Sequence, residues 1–414
     1  MKLSQVLFSQ HLGRQFKNHW RIQRHRVIPN TGAEKILKEK GIRVYEYDDI
    51  IQDIPELESK IVECHEDLPV EDESYNPMWN PRPCYLYKNH SSLLEGLDQA
   101  KRLTNTVEIE EGLPSKFQLL MDKSNPELDE KLVKRCIMSS HVFDATQQKL
   151  PKLHNPEKPT WVFPRVYGIV DKRRCRLMCL NLTNLCQMKR HSKNIEPLFL
   201  MESQNVSVPL EKDGSLIQLE CRADLMLMAK NPLPPIADDD VVRGTIDIPL
   251  PDLYPMEPTV SLLKENLYDL QDIFPLQPNT SNASLHTVFF HYNETEVKNL
   301  YDLPVTEKQF MGRSLVHTFA VAAAQARHSL KNEDSDLTHP ITLQSIHTDG
   351  KRFHFAVFQL NTMNLNGGSG IRNIFWHTPV SSIFEECGYK EGRPELVGYN
   401  DDVSRNTLAF FMNR

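Results

Sequence analysis

Ile341-Thr342-Leu343-Gln344-Ser345-Ile346-His347-Thr348-Asp349-Gly350-Lys351-Arg352-Phe353-His354-Phe355-Ala356-Val357-Phe358-Gln359-Leu360-Asn361 is the stretch that decides the fold. Two strand-like runs, Ile341 to Thr348 and Lys351 to Asn361, flank the turn dipeptide Asp349-Gly350 and predict a hairpin. In the second run Phe353, Phe355 and Val357 point one way, and Ala356, Phe358 and Leu360 the other. A strand that is apolar on both faces belongs in the interior of a sheet.

Working outward, Thr306 and Gln309 form a capping box for a helix running to about Leu330. Met311, Leu315, Phe319, Ala322, Ala326 and Leu330 make its apolar face. Ala320, Ala322, Ala323, Ala324 and Ala326 thin it, so that a neighbouring element can approach closely. Further upstream, Val206 to Leu210 and Leu216 to Cys221 flank Lys212-Asp213-Gly214, a second hairpin signal. Between these regions lie Pro232, Pro234, Pro235, Pro249, Pro251, Pro255 and Pro258, with the run Asp238-Asp239-Asp240. This reads as a long extended excursion, equally a surface loop or an arm lying on a partner.

Before residue 203 the pattern is mainly helical. A strand at Cys84 to Lys88 leads into a helix capped by Ser92 and Glu95, with Leu93, Leu97, Ala100 and Leu103 as its stripe. Gly112-Leu113-Pro114 closes that region. Asn125 as cap and Pro126 in the first turn open a second helix, whose buried face is expected to be Leu128, Leu132, Cys136 and Phe143. A third covers Lys172 to Met188. The order is mixed and not regularly βαβ. The expected class is therefore α+β: a mixed, mainly antiparallel sheet with packed helices and long extended proline-rich segments. The parts are a helix-rich 84–202 and a strand-rich 203–414, able to form one domain, after an extended acidic and proline-rich segment at 34–83. A short edge strand is expected there at Val44-Tyr45-Glu46-Tyr47.

Residues 1–33 are different in kind. They hold Lys2, Arg14, Lys17, Arg21, Arg24 and Arg26 and no Asp or Glu. On a helix, Phe8, Leu12, Phe16 and Trp20 share one side and the arginines lie roughly opposite. Such an acid-poor amphipathic segment reads as a mitochondrial transit peptide. A secretory signal is disfavoured because no apolar core of the needed length is present, and a basic nucleic-acid arm is the other rival. Without these residues the chain has 42 Lys and Arg against 55 Asp and Glu, a net charge of −13. That balance excludes a general polyanion binder, so any nucleic-acid contact must come from local patches. No apolar run approaches the roughly 18 residues of a membrane span. Eight scattered cysteines suit reduced thiols.

Candidate chemistry is sparse. Cys175, Cys179 and Cys186 with His191 lack paired ligand-turn spacing and read as buried thiols on one helical face. Asn366-Gly367-Gly368-Ser369-Gly370 lacks the Lys-Ser/Thr ending of a phosphate-binding loop. His286, His291, His317, His347 and His354 lack spaced partners and read as structural. No catalytic residue, metal or cofactor is expected. The densest basic patch is Lys172, Arg173, Arg174 and Arg176, followed by Lys189 and Arg190. On a helix it would present several cations to a phosphate backbone, or simply form a solvated face.

A colinear series of short motifs carries a resemblance across roughly residues 80–375. It runs from Cys84-Tyr85, Leu93-Leu94-Glu95-Gly96 and Glu111-Gly112-Leu113-Pro114, through Asn181-Leu182, Pro232-Leu233-Pro234 with Ile236-Ala237, and Tyr268-Asp269. It ends in Ala324-Gln325-Ala326-Arg327, Thr348-Asp349-Gly350 and Val357-Phe358-Gln359-Leu360-Asn361-Thr362. The series resembles the mitochondrial large-subunit ribosomal protein family numbered thirty-seven, whose sister branch is numbered thirty and was once named for programmed cell death. Residues 34–75 and the last thirty-odd match poorly. The resemblance implies a structural constituent of the mitochondrial ribosome in the matrix, touching large-subunit rRNA and other ribosomal proteins. Among these it implies the sister-branch protein as heterodimer partner, and no catalytic residues. Lys172, Arg173, Arg174, Arg176, Lys189 and Arg190 are the expected rRNA-facing group. The alternatives are a soluble matrix enzyme and a transient ribosome-assembly or RNA-processing factor.

Overall fold

The computed structural model describes residues 31–45, 76–124, 128–150, 166–276, 284–299, 303–330, 336–366 and 370–414. Residues 1–30 of the segment 1–33 read as a transit peptide, most of the 34–83 region, the Asn125-Pro126 cap and Gly367 to Ser369 thus lie outside the described residues. So does half of the proposed edge strand at Val44 to Tyr47. The chain divides into two compact units, 1–72 and 73–414. In the first, α1 (Ala33–Glu39) is exposed along its length and carries a Glu34–Lys38 ion pair of 2.7 Å.

In the second unit the elements follow in this order. First come β1 (Trp79–Tyr87), α2 (Leu97–Leu103), β2 (Thr106–Val107), α3 (Ser115–Ser124) and α4 (Glu130–His141). Next are β3 (Gln148–Lys149), β4 (Tyr167–Gly168), α5 (Asp171–Ser192), β5 (Phe199–Lys212), β6 (Ser215–Ala229) and α6 (Asp239–Gly244). The middle holds β7 (Leu263–Leu267), β8 (Ser284–His291), α7 (Glu307–Leu330), β9 (Asp336–Thr348) and β10 (Arg352–Thr362). Last are β11 (Asn373–His377), β12 (Ser381–Ser382), β13 (Glu386–Lys390), β14 (Arg393–Val397) and α8 (Asp401–Met412).

Ten strands form one sheet in the order β2-β11-β10-β9-β8-β6-β1-β7, with β12 on β10 and β5 on β6. Only β1/β6, β8/β9 and β2/β11 pair in parallel, so the sheet is mixed and mainly antiparallel. The quoted hairpin is β9–β10, closed by the pair Thr348↔Phe353. Between them the Asp349 carboxylate accepts from the backbone amides of Lys351 (2.8 Å) and Arg352 (2.6 Å). As its two apolar faces require, β10 is interior, between β9 and β11. The second hairpin, β5–β6, turns at Asp213-Gly214 and is far longer than its sequence signal.

The sheet has a core on each side. Ala356, Phe358 and Leu360 pack with α2 and α7. Phe353, Phe355 and Val357 pack with α3, α4, α5 and α8. The α7 capping box forms: the Gln309 amide donates to Thr306 Oγ1 (3.3 Å) and the Thr306 amide to Gln309 Oε1 (3.0 Å).

Three local expectations fail for tertiary reasons. Ser92 and Glu95 do not cap α2, which starts only after Gly96 (φ 61°). The chain there runs against α7 so closely that a Cβ on Gly96 would lie 2.5 Å from the Lys308 carbonyl carbon, and one on Gly312 would overlap the Gly96 backbone. Helix α4 is capped by Asp129 and is rotated by one residue from the expected face. Val133, Ile137 and Ser140 are buried, whereas Leu132 (42%) and Phe143 (55%) are exposed. Packing on α5 selects this face, with Asn181 donating to Ser139 and Ser140 (3.3 Å each). The acidic run in the proline-rich segment starts a helix, Asp238 preceding α6 and Asp239 and Asp240 occupying its first turn, where the helix dipole favours anions.

The segment before it is docked on its own sheet. Gln359 Oε1 accepts from the amides of Ile236 (2.8 Å) and Ala237 (2.9 Å), and Nε2 donates to Asn361 Oδ1 (2.9 Å). Two of the resembling motifs thus meet in space. Among the described residues no helix is long and apolar enough to cross a membrane.

Candidate nucleic-acid interface on helix α5

Helix α5 buries Cys175, Met178, Cys179, Leu182, Thr183, Cys186 and Arg190 against the sheet and its neighbours. These positions recur at three- and four-residue spacing, which turns the remaining polar residues outward. Its N-terminal end therefore carries Lys172 and Arg176 exposed, with Arg173 and Arg174 partly so. No side chain caps this end. Cations in a first helical turn oppose the macrodipole, at a cost of about 0.3–1 kcal/mol each when exposed at low salt.

Acidic partners offset that cost. Arg173 clasps Asp144 (Nη2–Oδ1 2.9 Å), and its guanidinium holds the Asp144 carboxyl below its usual range. Arg174 pairs with Asp171 and Arg176 with Glu202. The Arg174 and Arg176 pairs are exposed enough to contribute only about 0–1 kcal/mol, so a phosphate could exchange with them, whereas Asp144 is largely shielded.

The other end differs. Lys189 is half-buried, in the last turn where the dipole favours a cation. Arg190 is buried, and its donors go to the carbonyls of Glu196 (2.9 Å) and Phe411. Burial and the neighbouring Arg414 push its pKa down to about 10. A side chain committed to two internal carbonyls does not face RNA, which removes Arg190 from the expected group.

The thiols of α5 are also sorted by the structure. Helical spacing brings Cys175 and Cys179 together, and the third group beside them is His291 of β8; the ligand-type atoms all lie within 4.8 Å of one another. Cys186 is buried elsewhere and His191 is exposed. Burial raises the Cys175 thiol, whereas the neighbouring Cys175 and His291 side chains lower that of Cys179. Gly350 (φ 93°) lets the β9–β10 turn touch this part of α5, since a Cβ there would sit 3.0 Å from Cys175 Cα. Three cavities of about 420, 310 and 470 Å³ have linings that include none of Cys175, Cys179 and His291. Sequence reading missed His291 because its partners lie on another element; the four-residue cysteine spacing was the only local signal.

Comparison with known proteins gives the lineage. Residues 289–414 match the family profile described as Mitochondrial 28S ribosomal protein S30 (PDCD9). The Large ribosomal subunit protein mL37 of Rattus norvegicus is 30% identical over 304 residues, covering 72% of this chain and 66% of that protein. Its Mus musculus counterpart is 29% identical over 316 residues, covering 75% and 68%. The Gallus gallus protein is 25% identical over 314 residues, again covering 75% and 68%. The match thus spans about two thirds of these relatives' own length. The chain belongs to the family of mitochondrial ribosomal proteins that contains mL37 and PDCD9. The two names differ over the subunit; the similarity to mL37 covers most of the chain, that to the S30 profile its last third. The profile also runs to Arg414, correcting the expectation that the last thirty-odd residues stand apart from the family.

Proposed function

We propose that this protein is a structural constituent of the large subunit of the mitochondrial ribosome, working in the matrix in support of mitochondrial translation. The observation that carries this is the similarity to proteins named Large ribosomal subunit protein mL37 over roughly three quarters of the chain. Residues 1–33 would serve as the import signal. The N-terminal cluster of α5, Lys172, Arg173, Arg174 and Arg176, with Lys189 at the margin, contacts rRNA phosphates. The rest of the acidic surface meets protein neighbours, the sister-branch protein among them as heterodimer partner. Lys172 and Arg176 exposed at one helix end, with Arg173 and Arg174 partly so, support the rRNA reading, because cations at the surface can contact phosphate oxygens. No observation favours the matrix-enzyme or assembly-factor readings over this one.

Sedimentation of mitochondrial lysate through a sucrose gradient tests the proposal. One-to-one comigration with large-subunit rRNA in mature subunits and whole ribosomes, surviving moderate salt, is expected. Recovery at the top of the gradient, or only substoichiometric occupancy of particles, would sink it.

A further inference from the structure

The cluster beneath the cationic end of α5 has no role in the reading above, yet it has the composition of a metal site. Cys175 and Cys179 are fully buried, and the ring of His291 reaches them from β8. Neither ring nitrogen of His291 makes a well-directed hydrogen bond, although both are shielded from solvent. An unsatisfied buried imidazole is costly and calls for an explanation. Asp224 supplies half of one. Its Oδ2 accepts from the His291 amide (2.9 Å), and its Oδ1 lies 3.4 Å from Nδ1. A carboxylate behind an imidazole is the arrangement that orients metal-bound histidines, and it leaves Nε2 for an ion.

We propose that Cys175, Cys179 and His291 bind one zinc(II) ion, with Asp224 orienting the imidazole. Zinc bond lengths of about 2.3 Å to sulfur and about 2.0 Å to nitrogen put tetrahedral ligand atoms about 3.5–3.8 Å apart. Atoms already within 4.8 Å of one another need only small side-chain rotations to reach that spacing. Two thiolates and an imidazole select a soft ion over calcium or magnesium, and binding releases the two thiol protons. A disulfide is the competing fate of the pair. Residues four apart on a helix hold their Cβ atoms about 5–6 Å apart. A disulfide needs about 3.5–4.5 Å, so forming one would distort α5. The bound ion would clamp α5 to β8 directly under Lys172 and Arg176, fixing the helix end that carries the cations.

The test uses the full chain, purified, incubated with zinc sulfate and dialysed, with metal measured by plasma mass spectrometry. One zinc per chain is expected. Cys175→Ala/Cys179→Ala and His291→Ala should each lose it, whereas Cys186→Ala, an equally buried thiol on the same helix, should keep it. Circular dichroism establishes that each variant is folded. Cobalt(II) in place of zinc gives a second reading that needs no variant to fold, since the wild-type chain should show thiolate-to-cobalt charge-transfer absorption. A metal-free wild-type chain without that band overturns the proposal. So does zinc retained by the double cysteine variant, or a Cys175–Cys179 disulfide found by peptide mass spectrometry.

Discussion

The two faces of the sheet are built on opposite plans. One is covered by α2 and α7 and relies on small residues: five alanines of α7 are buried there, and Gly96 and Gly312 meet backbone to backbone. The other is covered by α3, α4, α5 and α8, and holds three cysteines of α5, Phe117, Phe410 and Phe411 in its core, with Arg190 buried beside it. The first face is limited by volume where α2 crosses α7, although α7 also buries Arg313 and His317 there, the latter against Tyr87 and Phe290. The second is the face whose covering helix α5 exposes cations.

Gly312→Val should break the first face most severely. Its Cβ would overlap the Gly96 backbone, and backbone cannot rotate away as a side chain can. Overpacking of this kind costs about 3 kcal/mol or more. Denaturant unfolding should show that loss, and a loss below about 1 kcal/mol would mean that α2 slides freely on α7. Acid is the matching probe of the second face. His286 contacts Thr287 Oγ1 (2.8 Å) and the Asn413 carbonyl (3.1 Å) at the end of α8, and burial pushes its pKa down to about 4. Above pH 6.5 the residue is neutral whether folded or unfolded, so its full contribution is present. Between 6.5 and 4 the unfolded chain takes up a proton that the folded chain refuses, and stability falls as pH falls. The full span corresponds to about 3 kcal/mol. His286→Gln should flatten that part of the pH–stability curve, and an unchanged slope would refute the assignment.

What was legible in the sequence follows the range of each interaction. The β9–β10 hairpin and the Thr306–Gln309 box could be read because their partners lie within a few residues. Ser92 and Glu95 spell the same box, yet contact with α7 some 215 residues away moves the start of α2 past Gly96. The face of α4 was misjudged by one position because apolar residues occur on both candidate stripes and only docking on α5 chooses between them. Helix α8 went unread, although the Asn400 side chain caps it by accepting from the Asp402 amide (3.0 Å) and Phe410 and Phe411 fill the second core. At the candidate site, helical spacing leaves Lys172 and Arg176 exposed and Arg173 and Arg174 partly so. It could not show that Arg190 turns inward, since its acceptors are the carbonyl of Glu196 past the helix end and that of Phe411, 221 residues away.

The two ends of α5 make the finest test, because similar side chains there are expected to do different work. Arg190→Met keeps much of the apolar stem but leaves two buried carbonyls without their donor. It should cost about 2 kcal/mol of stability, with no direct effect on RNA affinity. Charge reversal at Lys172, Arg173 and Arg176 should do the converse. The lost pair with Glu202 is exposed and that with Asp144 is half-buried, so unfolding should shift by no more than about 1 kcal/mol. If these cations meet phosphates, binding of the purified chain to large-subunit rRNA fragments should weaken, and its dependence on salt should flatten by about 0.7–0.9 in log–log slope for each contact removed. Equal salt slopes for the reversed and native chains would assign the N-terminal cluster to solvent and leave α5 a purely structural helix.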